Sequence, residues 1–479
     1  MRKNRLLLLL ILFIFFHLNC KQKSTLRDDF DYEKAEIIIK FHREHNSNNF
    51  EVIVNILNME PNILKDANIL IYTSRGEIIS KKREAYDKFK AKIITDGTGE
   101  YNIKVVLEGT TKEAEKTALV LSYVNEEWDQ PEKVRGFVNT KGWEDGACIS
   151  SDGKWLFIQY LPVPINCLFS ADPNSPFCRK AIGPITAPYR PDMPGADRVS
   201  KDGTIKHECP SLNFFNSPFP VPPNSLYVFK REKDGSFKNP QPIYFAGADG
   251  CISAFGPALL KRESNNILLF AFDNPLQSEK NDTQGDLYAL PIIPGEKTIL
   301  GKFEQGADGN ITLKDFKAKI IGDPTEGHQG NPHHWINKEG KVFVFYDDEN
   351  ERKDLFVVDS QEGINSENWN LSLKLPSSIC DNNTLEAQPF FDGQRLYFRR
   401  ELEILSAKWR GGDFSEPSSW EKVISVLKGD GFSATDGHIL GVGEPTVAKV
   451  DAHKELYFIY IIKTKEGIYD LNVGMVRSR

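Results

Sequence analysis

Between Asn331 and Asp359 the chain reads NPHHWINKEGKVFVFYDDENERKDLFVVD. Apolar and aromatic residues alternate over Pro332–Ile336 and Lys341–Tyr346, with the polar turn Asn337–Gly340 between them. The charged stretch Asp347–Lys353 then leads to Leu355–Val358. Short β-branched and aromatic runs bounded by Gly, Asn and Asp predict adjacent antiparallel strands.

The same phrase recurs. Trp143–Ile158 repeats the strand–turn–strand layout, and Ser225–Lys230 supplies a third strand after a long insertion. Asp249–Phe272 repeats it with Asp286–Ile293 as third strand, Glu386–Arg399 with Glu403–Lys408, and Glu444–Tyr460 with Tyr469–Val476. Fourth segments follow at Gly235–Tyr244, Ile311–Ile320, Glu367–Leu375 and Phe414–Val423. The last copy has none after it, but Trp128–Val138 stands before the first copy and has that form. Four-stranded repeats whose last unit takes its outer strand from the N-terminal side predict a β-propeller closed by strand exchange. Five blades are expected over 128–479. A sixth has room only in Leu161–Asn224, which is dense in Pro, Asn and Ser and reads as an inserted loop.

Ahead of the propeller, seven short runs from Ala35 to Tyr123 alternate as one-sided strands do, Tyr101-Asn102-Ile103-Lys104-Val105 most cleanly. Their number and spacing predict an immunoglobulin-like β-sandwich over 34–125. The expected fold class is therefore all-β, a sandwich followed by a propeller. The phrase Gly97-Thr98-Gly99-Glu100-Tyr101 resembles an edge of bacterial Ig-like modules. SSDGKWLF, GNPHHW…DLFVVD and GEPTVA…KELYFIY resemble the TolB-like propeller repeats known as PD40 (WD40-like). That resemblance implies fold more than function, since propellers host unrelated activities.

The N-terminus has a different pattern. Arg2, Lys3 and Arg5 precede the apolar run Leu6–Phe16, which suits the h-region of a signal peptide over 1–19 and is too short to span a bilayer. His17-Leu18-Asn19-Cys20 resembles a bacterial lipobox, although leucine stands two residues before the cysteine instead of three. The resemblance implies acylation of Cys20, by palmitate among other chains, a tether over 20–33, and a place on a bacterial membrane, with the outer membrane or periplasm as its surroundings. Six further cysteines would permit up to three disulfides in an exported chain, and Cys167 with Cys178 is the expected pair.

A formal net charge of -7 with scattered basic residues argues against a nucleic-acid partner. Aligning the repeats sets Asp145, Asp249, Asn331, Glu386 and Glu444 at equivalent blade starts, around one mouth of the ring. Such a ring would bind a polar ligand, or a cation such as calcium, through oxygen ligands. No cofactor is implied. Adjacent His333 and His334 should point to opposite faces of their strand, so only one would reach the channel.

Five-bladed propellers include glycosidases that place two Asp and one Glu in the channel. That resemblance would make Asp145 and Asp249 catalytic, but Asn331 stands where the third blade should offer Glu. The leading expectation is thus a membrane-anchored binding platform for a protein or glycan, and its rival is a glycoside hydrolase.

Overall fold

The computed structural model describes residues 34–45, 47–140, 142–161, 225–247, 254–261, 266–272, 276, 286–308, 310–322, 329–348, 353–364, 366–432, 434–464, 467 and 469–479. Cys20, Cys167, Cys178, Asp249 and most of the inserted loop lie outside them. The regular structure described is nearly all strand, and the one α-helix among these residues is the four-residue turn Pro61–Leu64.

The first module is a two-sheet sandwich. Glu36–Arg43, Phe50–Leu57, Lys88–Ile94 and Glu77–Ala85 form one sheet in that spatial order. Ile69–Thr73, Gly99–Leu107 and Glu113–Val120 form the sheet that faces it. Alternation along each strand decides the packing: Phe50, Val52, Val54 and Ile56 point inward to meet Tyr101, Ile103, Val105 and Leu107. Each such side chain contributes roughly 1.5–3 kcal/mol by leaving water.

Five blades follow. Blade 1 runs from its innermost strand Trp143–Ile149 through Trp155–Leu161 and Ser225–Arg231 to Phe237–Ala246. Blade 2 is Ala254–Lys261, Asn266–Phe272, Asp286–Ile292 and Lys319–Ile320, and blade 3 is Gln329–Ile336, Val342–Asp348, Asp354–Ser360 and Leu373–Lys374. Glu386–Phe391, Arg395–Arg400, Glu403–Lys408 and Ile424–Lys428 form blade 4. Blade 5 comprises Ile439–Val450, His453–Lys463 and Tyr469–Arg477, and its outer strand comes from the other end of the chain. Glu132–Lys133 pairs there with Gly474 and Met475, which closes the ring.

Two fourth segments differ from the sequence expectation. In blade 2 only Lys319–Ile320 is the outer strand. Ile311–Lys314 instead forms a hairpin with Thr298–Gln305, and that hairpin pairs with Phe237–Ala246 on blade 1. In blade 4 the outer strand is Ile424–Lys428, beyond Phe414–Val423. Phe414 and Trp420 are buried in an aromatic cluster between blades 3 and 4, and Trp420 is further fixed by an antiparallel bridge to Trp409.

The sandwich and the ring are one continuous piece. Glu132 pairs with Ala118 on one side and Met475 on the other, so a sandwich sheet runs on into blade 5. Lys116 Nζ lies 2.5 Å from Glu132 Oε2, and Tyr460 Oη donates to Glu100 Oε1 at 2.5 Å. Thr98 Oγ1 donates to Asp430 Oδ2 at 2.6 Å beside the His438 ring, and Arg75 Nη1 donates to the Gly437 carbonyl. Tyr123–Val124 adds a fifth strand to blade 4. The first module is therefore docked along the ring.

Candidate functional site

Each innermost strand carries a β-bulge at the same depth in all five blades, and the blade-5 strand has a second register shift nearer its start. The bulged residue has a left-handed backbone: Gly146 (φ 56°), Gly256 (φ 54°), Asn331 (φ 46°), Gln388 (φ 56°) and Glu444 (φ 53°). Ala147 follows the first, and Pro257, Pro332, Pro389 and Pro445 follow the others. A bulge leaves one N–H without a ladder partner, and proline has none to leave. At Gly256 the absence of a side chain is required, because a Cβ would lie 2.7 Å from the Asn331 backbone of the next blade.

This register corrects the sequence alignment of blade starts. Asn331 and Glu444 are equivalent, as expected. Asp145, however, sits one residue before its blade's bulge and Glu386 two before, and Gly256 takes the place assigned to Asp249. A one-residue slip sends a strand side chain to the opposite face. Two residues displace Glu386 along the strand, into the seam between blades 3 and 4. There its carboxylate accepts from Arg400 Nε at 2.7 Å and Thr384 Oγ1 at 2.6 Å.

The bulge residues tie neighbouring blades together. Asn331 Nδ2 donates to Asp347 Oδ2 at 2.9 Å, and the Gln388 backbone N–H donates to the same oxygen at 2.7 Å. Gln388 Nε2 donates to Glu444 Oε1 at 2.7 Å, while the Glu444 N–H returns a bond to Gln388 Oε1 at 2.9 Å. The Ala147 N–H donates to Glu444 Oε2 at 3.0 Å, and the Ile149 N–H donates to Thr446 Oγ1 at 3.2 Å. This belt runs from blade 3 through blades 4 and 5 to blade 1. Burial, then the adjacent Asp145 carboxyl with which it shares a hydrogen bond, pushes the Glu444 carboxyl well above its ordinary range.

Within the belt the axial cavity measures about 30 Å³. Ring carboxylates needed for chemistry or cation binding would have to be open to a ligand. Glu444 and Asp347 are instead committed to their neighbours. Among the described residues one group has metal-ligand spacing, Asp354, Cys380 and Glu386. Lys374 and Arg400 already neutralise its two acids, so it has no excess negative charge to attract a cation.

His333 and His334 stack with ring centroids 5.3 Å apart, and both line a cavity at the far mouth. His333 Nδ1 accepts from the Phe391 N–H at 3.2 Å, so a neutral ring carries its proton on Nε2. Burial, then His334, holds its pKa well below the usual histidine range.

Sequence reasoning missed Gln388, Asp347, Gly256 and Thr446. The Gln388-Pro389 and Gly256-Pro257 dipeptides carried the missing signal, matching Asn331-Pro332 and Glu444-Pro445.

No protein-family model matches this chain, and no curated protein does. Among solved structures, a protein of unknown function from Dyadobacter fermentans is 10% identical, over 93% of this chain and 100% of that one, with a TM-score of 0.38. An exo-1,5-alpha-L-arabinanase from a bovine ruminal metagenomic library is 7% identical over 70% and 94%, with a TM-score of 0.34. Penicillium chrysogenum alpha-L-arabinanase complexed with arabinobiose is 10% identical over 93% and 94%, with a TM-score of 0.32. Identities and scores this low support no inference about chemistry or substrate. The strand order itself defines the class: an all-β chain with a sandwich docked on a five-bladed β-propeller.

Proposed function

We propose that this chain is an exported glycan-binding propeller, tethered to a bacterial membrane through acylated Cys20. The belt carries this reading. A hydrolase needs two carboxyl groups about 5–5.5 Å apart for retention, or about 6.5–9.5 Å apart for inversion, with the sugar between them. Here Glu444 lies against Asp145 and is hydrogen-bonded to two neighbouring blades, an arrangement that holds a ring together. The docked sandwich fixes the ring to the module that follows the expected tether in sequence.

The test is to incubate the full chain in detergent with a panel of neutral and acidic oligosaccharides, following both binding and release of reducing ends. Binding without turnover supports the proposal. Turnover that disappears in Asp145→Asn would overturn it in favour of the hydrolase. Attachment is tested separately by fractionation, where Cys20→Ala should leave the membrane fraction.

A further inference from the structure

The mouth opposite Asp145 holds a cavity of about 950 Å³, near the upper end of the range typical of ligand sites, about 300–1,000 Å³. It lies at the C-terminal ends of the innermost strands, among the first turns of blades 1, 3, 4 and 5. We propose that this mouth binds an acidic saccharide, with a sugar ring against Trp335 and its carboxylates toward Lys338 and Lys449. The inference rests on the binding reading above and adds to it a place and a ligand class.

Charge is the first support. The acids in the lining are already engaged, Asp392 with Lys454 at 2.7 Å and Glu127 with Arg395 at 2.7 Å. Lys338, on the blade-3 turn, and Lys449, at the end of the blade-5 inner strand, are exposed and have no ion-pair partner among the described residues. They stand on either side of the blade-4 turn Asp392–Gln394. This chain is acidic overall, so a local excess of positive charge marks one sign of partner. Lysines are mobile point charges, which suit carboxylates spaced along a chain better than a fixed phosphate clamp does.

The wall is the second support. Trp335 is half-buried and held by four rings: Phe343 lies tilted against it at 5.2 Å and 33°, and Phe391 (5.2 Å, 89°), Trp409 (5.6 Å, 72°) and Phe414 (6.1 Å, 86°) make edge contacts. Gly393 faces its indole nitrogen, and a Cβ there would lie 2.8 Å from Trp335 Nε1. Its φ of 90° is a second reason for glycine at that turn. A rigid aromatic surface with one polar edge, beside hydrogen-bonding side chains, has the chemistry that recognises a sugar ring. A nucleic acid would require basic residues along a longer track, which the scattered charge does not provide.

The test titrates the full chain in detergent with trigalacturonate, a neutral xylotriose, triglutamate and inorganic phosphate, read by calorimetry and tryptophan fluorescence. Trigalacturonate should bind, perturb the fluorescence, and weaken as salt is raised. The double variant Lys338→Gln/Lys449→Gln, at two exposed positions whose substitution leaves the fold intact, should bind it about tenfold more weakly. Gly393→Ala should weaken it as well. Equal binding of xylotriose, or equal binding of triglutamate or phosphate, would overturn this site while leaving a binding propeller in place. Affinity for trigalacturonate that the lysine double variant retains in full would also overturn it. If no saccharide binds at all, the glycan-binding reading fails with it.

Discussion

Gln388 is the residue on which the belt can be tested most sharply. Its side chain makes two bonds to Glu444, one donated from Nε2 and one accepted at Oε1. Replacing it by alanine leaves the Glu444 N–H and one carboxyl oxygen without partners, and Glu444 is only 6% exposed. An unsatisfied buried group costs about 1–3 kcal/mol, so Gln388→Ala should destabilise the chain by about 2–4 kcal/mol. Glycine loses the same bonds but relieves the left-handed backbone, where a non-glycine residue costs about 1–2 kcal/mol. After allowing for the greater freedom of glycine in the unfolded chain, Gln388→Gly should be less damaging than Gln388→Ala by about 1 kcal/mol. Urea denaturation of wild type and both variants, with the slope of the transition checked for constancy, gives the order directly. An alanine variant within about 0.5 kcal/mol of wild type would refute the belt as a tie between blades. So would a glycine variant less stable than alanine, since the backbone argument would then have the wrong sign.

Three other predictions follow from named contacts. The folded chain holds a proton on Glu444 that the unfolded chain releases near the ordinary value of 4.5. Its stabilisation is full below that pH and is lost as pH rises through the folded value, so wild-type stability should fall with pH where Glu444→Gln does not; urea midpoints between about pH 4 and pH 9 check this. Lys116→Ala leaves Glu132 unpaired in the seam between sandwich and blade 5, at a cost of about 3–5 kcal/mol, and should raise hydrogen exchange at Ala118 and Glu132. Burial pushes the Cys148 thiol up to about 11 and the Cys380 thiol up to about 12, so peptide mapping after thiol labelling of the native chain should find both unmodified until denaturant is added.

The blades were legible in the sequence because each repeats one phrase, and β-alternation with a glycine or asparagine turn is local information. The sandwich strands were legible for the same reason: Phe50–Leu57 and Gly99–Leu107 alternate without interruption. The axial residues were harder to place because a bulge breaks the period of two. Asp145 and Glu386 carry the charge that draws attention, while the structural position falls on Gly146 and Gln388. The proline after the bulge would have set the register in four of the five blades. The far-side cavity was not legible at all. It gathers the turn Lys338, Lys449 and the Gly393 edge of Trp335 from three blades, and only closure of the ring brings them together.

The most direct test of the account is an experimental structure of the full chain with an acidic oligosaccharide bound. The account predicts a sugar ring against Trp335, between Lys338 and Lys449, with Glu444 still bonded to Gln388 and the Ala147 N–H. A sugar bound instead at the other mouth, between Asp145 and Glu444 with those bonds opened, would contradict it.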